Sequence, residues 1–304
     1  MRRFLLAAMI CGVAAGAQAA DLADLPVLRG AFTEGGTRSM RNWDGWYAGG
    51  QVGYTSADMD FSHSVKTLTN FMLRNSVLAG PVSQWSLLSK NHAQATGFGG
   101  FVGRNWQWDQ VVLGVEANYN YMNSLASSST NSMSLNIVNP TGEIPPSGHT
   151  YTYSTTLSGT ASLQVKDVVT FRSRAGWAVG DFLPYMFGGL AVGRVDTARA
   201  ATISYTKRDD YDQTTQTLVA IVNGNPVYTT TTTHITSQLG AGSNSTAEHR
   251  TNSFVVGWTA GLGTEYNLWD NLFMRAEWEY VRFVSVKDTS FSTNNVRAGL
   301  GYKF

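Results

Sequence analysis

The chain contains a single cysteine, Cys11, and it falls inside an N-terminal segment with the features of a secretory signal. The rest of the chain can form no disulfide, so an exported protein of this sequence must draw its stability from elsewhere. Charge is scarce: Asp, Glu, Lys and Arg make up 14% of residues, against roughly 25% in ordinary soluble domains. The 22 basic and 21 acidic side chains nearly cancel, which argues against a nucleic-acid partner. Beyond the N-terminal segment no run is apolar enough for a membrane helix, which needs ~20 residues. Proline is rare, whereas glycine and aromatic residues are plentiful. A chain with little charge and no helical span, but rich in Gly and aromatics, leaves one membrane architecture open, which is built of strands.

The N-terminal segment has a basic start at Arg2 and Arg3, an apolar stretch from Phe4 to Gly16, and Ala17-Gln18-Ala19 as a small-x-small cleavage site. It is too short to span a bilayer. Ile10 is a poor residue to precede a lipidated cysteine, so a lipoprotein reading of Cys11 is disfavoured. The expected organisation is a signal peptide over 1–19 with Ala17 and Ala19 as the small residues of its cleavage site, a periplasmic lead-in over 20–44, and one folded unit over 45–304.

The last residues, V-R-A-G-L-G-Y-K-F from Val296 to Phe304, alternate between apolar and small or charged. A period of two describes a strand with one greasy face. The same alternation recurs at Trp43–Tyr54, Ala95–Trp106, Val111–Met122, Leu163–Val179, Leu183–Thr197, Ser253–Asn267 and Leu272–Val286. Tight turns near Asp109, Asp181 and Asp270 alternate with longer connections, and this asymmetry is the mark of transmembrane barrels. The expectation is all-β: an eight-stranded antiparallel transmembrane β-barrel with long extracellular loops. Within the first of those loops, Val65, Leu68, Phe71 and Met72 have helical spacing. Within the longest, Ala198–Arg250, the Asn223-Gly224 dipeptide predicts a β-hairpin that projects beyond the main sheet. Asn123–Gly159, rich in Ser, Thr and Asn, reads as loop.

Charge fixes which face meets lipid, because an Arg or Lys in the lipid face near the midplane costs ~2–4 kcal/mol. Met274, Ala276, Trp278 and Tyr280 share one face of their strand, with Arg275, Glu277 and Glu279 on the other. Arg172 and Arg174 likewise oppose Phe171, Ala175 and Trp177. The charged faces therefore point inward, which gathers Glu116, Glu265, Glu277 and Glu279 against Arg172, Arg174, Arg275 and Arg297. In a barrel this narrow the interior is filled by side chains, so the eight form an ion-pair network without an open channel; the alternative is that some sit at the rims, solvated. Arg104 and Arg194 share faces with apolar residues near strand ends, and the facing of those two strands stays open. Arg282 lies on the lipid side at the outer end of its strand, within reach of an anionic headgroup. Trp43, Trp46, Trp106, Trp108, Trp177 and Trp269 gather at the short-turn end, where an interfacial aromatic girdle belongs.

W-D-G-W-Y-A-G-G at Trp43–Gly50, G-G-F-V-G-R-N-W-Q at Gly99–Gln107, L-P-Y-M-F-G-G-L-A at Leu183–Ala191 and the ending N-V-R-A-G-L-G-Y-K-F resemble the small outer-membrane β-barrel proteins of alphaproteobacteria. That group has an OmpA-like transmembrane barrel without a peptidoglycan-binding domain. The resemblance covers the expected strands but not the long loops, and it departs at Arg104, where the family usually has Tyr. It implies a location in the Gram-negative outer membrane, with lipid and lipopolysaccharide as surroundings. It also implies that Tyr302 and Phe304 are the signal read by the barrel-assembly machinery. The enzymes known among small outer-membrane barrels each need a His held rigidly beside an acid or serine, but His63, His92, His149, His234 and His249 all fall in expected loops or strand mouths. Metal-ligand spacings and cofactor-binding glycine patterns are missing from the sequence. Three roles follow: a structural surface protein, a porin with a narrow channel, or a surface adhesin contacting hosts or other cells through its loops.

Overall fold

The computed structural model describes residues 41–304; the signal segment with Cys11, Ala17 and Ala19, and the lead-in as far as residue 40, lie outside the described residues. In chain order the elements are β1 (Gly45–Asp60), α1 (Lys66–Leu73), α2 (Ala79–Ser83), β2 (Lys90–Trp108), β3 (Val111–Val138), β4 (His149–Trp177), β5 (Phe182–Val222), β6 (Asn225–Asn267), β7 (Leu272–Phe283) and β8 (Ser290–Lys303). Each strand pairs antiparallel with the next, and β8 returns to β1, closing an eight-stranded barrel. Closure leaves no unpaired ladder at membrane depth, which a chain in lipid requires.

Along the strands the outward residues at membrane depth are almost all apolar, Ser173 of β4 being an exception. On β1 they include Trp46, Val52 and Tyr54; on β6, Val256, Trp258 and Leu262; on β8, Val296, Leu300 and Tyr302. This is the surface that a water-soluble barrel would bury. Trp46, Trp108, Trp177 and Trp269 are exposed on the outside at the short-turn end. Trp43 is not part of that girdle: it precedes β1, is buried, and packs edge-on against Phe273 inside the lumen. The side chain of Arg41 pairs with Asp181 and Asp270 in two of the short turns, so the described end of the lead-in runs across the mouth of the barrel.

The long connections differ from the sequence expectation. Residues 124–138 and 149–159, expected as loop, continue β3 and β4; the hairpin expected at Asn223-Gly224 is present, but its two strands run through the whole 198–250 segment instead of a part of it. Both turn residues are left-handed, with φ of 51° and 80°, the geometry of a type I′ hairpin that Asn-Gly favours. Three register shifts at the rim reset the alternation: between Tyr121 and Leu125, between Val165 and Asp167, and between Val195 and Thr197, where β6 steps from Ser253 to Arg250. β3 to β6 thus rise past the barrel rim as a four-stranded wall. Beyond Tyr211, where β4 ends, only the β5–β6 ribbon continues, for 11 residues or about 36 Å at ~3.3 Å per residue.

One face of the wall is buried. Leu125, Leu157, Ala201 and Ile203 pack with Val65, Leu73, Leu78, Val82 and Leu87 from the β1–β2 segment and its two helices. The helical spacing noted in the sequence is α1, whose Leu68 and Met72 pack against this cluster while Phe71 stays exposed. α2 had no signature of its own. Gly159 allows the close approach: a Cβ there would lie 2.7 Å from Leu87 Cδ2 and 3.2 Å from Val65.

Candidate functional site: the barrel lumen and its cap

The inward positions of the barrel form four layers. The short-turn end is closed by Trp43, Tyr47, Phe101, Leu183, Tyr185, Phe187 and Phe273, all buried. Cross-strand register sets several of these rings opposite glycines: Tyr47 faces Gly103, Phe101 faces Gly49, Phe187 faces Gly261, Tyr185 faces Gly263 and Phe273 faces Gly301. The ring lies over the bare backbone, so a Cβ on Gly263 would come within 2.5 Å of Tyr185. Aromatic side chains laid over strand glycines both fill the lumen and protect the ladder.

Above this floor the structure brings together all eight charged residues expected inside. Their side chains are essentially without solvent contact. Arg172 donates from Nε to Glu116 at 2.9 Å and from an Nη to both oxygens of Glu277 at 2.6 and 2.8 Å. Arg275 reaches Glu116 at 3.0 and 3.1 Å and also pairs with Glu277. Arg174 grips Glu265 with two nitrogens, at 2.5 and 3.1 Å, and lies 3.7 Å from Glu116. Arg297 pairs with Glu277 at 2.8 Å and Glu279 at 2.9 Å. Bidentate guanidinium–carboxylate pairs are the strong form of this contact.

Neutral groups complete the network, and sequence reasoning missed them. Tyr47 donates to Glu116 at 2.8 Å, Tyr185 to Glu277 at 2.6 Å and Thr259 to Glu279 at 2.9 Å. Asn105 accepts from Arg174 Nε at 3.0 Å. The guanidinium of Arg275 lies 3.8 Å from the centre of the Phe101 ring, and that of Arg172 4.0 Å from Phe187. Each of these residues has the inward parity of its strand, which was the available signal. A third layer of amides and hydroxyls follows, including Gln51, Asn120, Thr55 and Asn295. The fourth is apolar: Met122, Val168, Val195 and Val281 with the stacked rings of Phe283 and Phe291, centroids 4.5 Å apart, continuous with the core under the helices.

Two facings left open by the sequence are resolved. Arg104 points outward at the short-turn end, with its guanidinium 5.6 Å from the Trp46 ring and 5.3 Å from that of Trp106, a cation–π seat at the interface. Arg194 points outward at the other end and pairs with Asp167 at the β4 bulge. Arg282 is outward and exposed, opposite Trp258 and Ser292.

A second charged cluster locks the cap. Arg199, buried on β5, donates to Glu248 of β6 at 2.7 and 3.1 Å, to the carbonyl of Ser64 at 2.8 Å and to that of Lys287 at 3.2 Å. Lys287 Nζ reaches Glu248 at 2.7 Å, so one side-chain cluster ties the helical segment, the wall and the β7–β8 turn. Hydrogen bonds from Lys287 and Arg199 hold the Glu248 carboxyl down at about 2. A depressed carboxylate stabilises the fold above its unfolded value, ~4.3, and the contribution vanishes as pH falls through the folded value. Between pH ~4 and ~2, protease cleavage within residues 61–89 is expected to rise while the barrel stays folded. Arg199→Ala should give that cleavage already at pH 7, and an uncut cap in this variant would show that the clasp is dispensable.

Among the described residues the histidines lie on the extracellular side, and three pair with carboxylates: His92 with Asp58, His149 with Asp209 at 2.9 Å and His234 with Asp212 at 2.8 Å. Among the same residues no group of three or more His, Cys, Asp or Glu is placed to hold a metal.

A closed barrel with an apolar exterior and a hydrogen-bonded ionic interior defines an integral outer-membrane β-barrel protein. Residues 4–304 match the outer membrane protein beta-barrel domain, and the chain belongs to that family. It is similar to the 25 kDa outer-membrane immunogenic protein of Brucella ovis, 45% identical over 51 residues, which is 17% of this chain and 23% of the relative. The Brucella abortus protein of the same name is 38% identical over 60 residues, 17% of this chain and 28% of that protein. The chain thus aligns with only about a quarter of the length of these relatives. Among solved structures, the attachment invasion locus protein of Yersinia pestis matches 85% of this chain and 99% of its own at 10% identity and a TM-score of 0.31. Neisserial surface protein A matches 85% and 97% at 10% identity and a TM-score of 0.30. Membership of the outer membrane protein beta-barrel family locates the protein in the outer membrane.

Proposed function

We propose that this protein has a structural, cell-surface role: a sealed and non-enzymatic barrel that anchors a rigid extracellular wall. The observation that carries the reading is the stacking of aromatic floor, ion network, amide layer and apolar roof across one narrow lumen. A hydrated ion has no polar path through the apolar layer, and the charged layer is already neutralised from within. Purified protein in planar bilayers is expected to show no conductance steps; reproducible steps would favour a porin instead. The barrel surface would meet outer-membrane lipid and lipopolysaccharide, and Tyr302 with Phe304 would present the assembly signal. Boiled and unboiled protein should migrate differently on gels, because the closed ladder resists detergent until heated.

A second reading, adhesion, rests on the bare β5–β6 ribbon, whose tip exposes Leu218, Val219, Ile221, Val227 and Tyr228. Apolar side chains this far from the membrane mark a contact surface. The name of the Brucella relatives, outer-membrane immunogenic protein, fits a chain displayed at the surface. Replacing residues 212–234 by an Asn-Gly turn should leave gel mobility heat-modifiable. Loss of cell binding by this variant would make the ribbon an adhesive element, and unchanged binding would remove that role.

A further inference from the structure

The wall has a second face, which points away from the helices and continues the lipid-facing side of the barrel upward. Its composition changes in a definite order along β5. The outward residues are first Leu190 and Val192, then Arg194 and Asp196, then Ala198, Ala200, Thr202, Ser204 and Thr206. The charged step is not confined to β5, since Arg194 pairs with Asp167 and Lys166 with Asp196 at 2.8 Å. Grease, charge and hydroxyl follow one another outward, which is the order of acyl chain, phosphorylated headgroup and sugar in a glycolipid leaflet.

The hydroxyl zone is a regular array. Register places Ser134, Thr156, Ser204 and Ser243 side by side across four strands. The row beneath is Ser132, Ser158, Thr202 and Ser245. The rows on either side hold only Thr, Ala, Asn and Ser, so four successive rows carry no charge. Neighbouring hydroxyls bond across strands, Ser134 with Thr156 at 2.7 Å and Ser132 with Ser158 at 2.9 Å. The lattice repeats at about 4.8 Å across strands and about 6.7 Å along them. The buried face beneath, packed on α1 and α2, keeps it stiff.

We propose that this face is the seat of a neutral saccharide, the sugar portion of the lipopolysaccharide that surrounds the barrel. The inference rests on the reading of the chain as a lipid-embedded surface protein and names the partner of its wall. Continuity with the lipid-facing surface puts the array in the sugar layer of the same leaflet. The absence of charge selects uncharged sugar over phosphate. Each hydroxyl donates one hydrogen bond and accepts two, so the array matches polyols in either sense, directly or through bridging water. Single contacts of this kind are weak, but a glycolipid in the same membrane is held at high effective concentration.

Residues 41–304 contain no cysteine, so a single Ala200→Cys on this face can report its coverage. The labelled protein would be placed in vesicles of saccharide-bearing lipopolysaccharide and, separately, of lipid A from the same source, with Thr215→Cys on the bare ribbon as control. Maleimide labelling at Ala200→Cys is expected to be about tenfold slower with the saccharide present, the rate left when the face is free one-tenth of the time, and unchanged at the control. Adding Ser132→Ala, Ser158→Ala, Thr202→Val and Ser245→Ala should abolish the difference, with heat-modifiable mobility showing that the barrel still folds. Equal labelling in both vesicles would overturn the proposal. So would slowing that persists in the substituted row, which means crowding, or slowing already present on lipid A, which means another protein copy. Conductance measurements are indifferent to all of these outcomes, so failure here leaves the sealed-barrel reading standing.

Discussion

Glu116→Gln is expected to destabilise the barrel by about 3–5 kcal/mol, the cost of removing one partner from a buried ion pair. Glu116 accepts from Arg172, Arg275 and Tyr47 and lies 3.7 Å from Arg174. Glutamine keeps the shape but turns a donor toward guanidiniums that have no acceptor to spare. Urea unfolding from lipid vesicles, followed by tryptophan fluorescence, reads the change. A companion comparison separates charge balance from geometry. Arg174→Met alone strands Glu265, whereas Arg174→Met with Glu265→Leu removes both charges of a bidentate pair. The double variant should be the more stable of the two, because buried pairs replaced whole are often neutral. If Glu116→Gln unfolded at the parental urea concentration, water would have to reach the network, and the lumen would not be sealed.

Deletion of Phe304 is expected to reduce assembled protein in cells by tenfold or more while changing unassisted refolding into vesicles far less. The structure gives Phe304 modest contacts: its N–H donates to the Trp46 carbonyl at 2.8 Å, and its exposed ring meets Tyr302 edge-on at 5.5 Å. Those account for at most ~2–3 kcal/mol of burial and hydrogen bonding. A cellular defect much larger than the refolding defect would therefore point to a receptor that reads the terminal ring. Equal, small defects in both settings would reduce Phe304 to a girdle residue.

The membrane part was legible because lipid enforces a strict alternation, and any charge on a greasy strand must turn inward. That logic located Glu116, Arg172, Arg174, Glu265, Arg275, Glu277, Glu279 and Arg297 on inward faces, and the fold brings them within contact of one another. The wall was not legible for two physical reasons. The bulges near Asn123 and Asp167 shift the inward parity by one, so a pattern followed from below runs out of phase and breaks. Above them the outward positions are mostly Ser and Thr with some Ala and Asn, which match loop composition although Thr favours strands. The inward series Leu157, Gly159, Ala161, Leu163, Val165 was the remaining clue, weakened by its two small members. Trp43 misled for a different reason: it lies two residues before Gly45 with the inward parity of Tyr47, which sends it into the lumen rather than to the lipid.

The ionic interior carries four carboxylates and four guanidiniums, all paired inside the barrel. A unit charge held across a membrane feels about 2.3 kcal/mol per 100 mV, yet this set has zero valence. Donnan voltages, which shift whenever the medium is diluted or concentrated, thus exert no net pull along the cylinder axis. Osmotic change should leave the barrel electrically indifferent, a property suited to a fixture of the cell envelope.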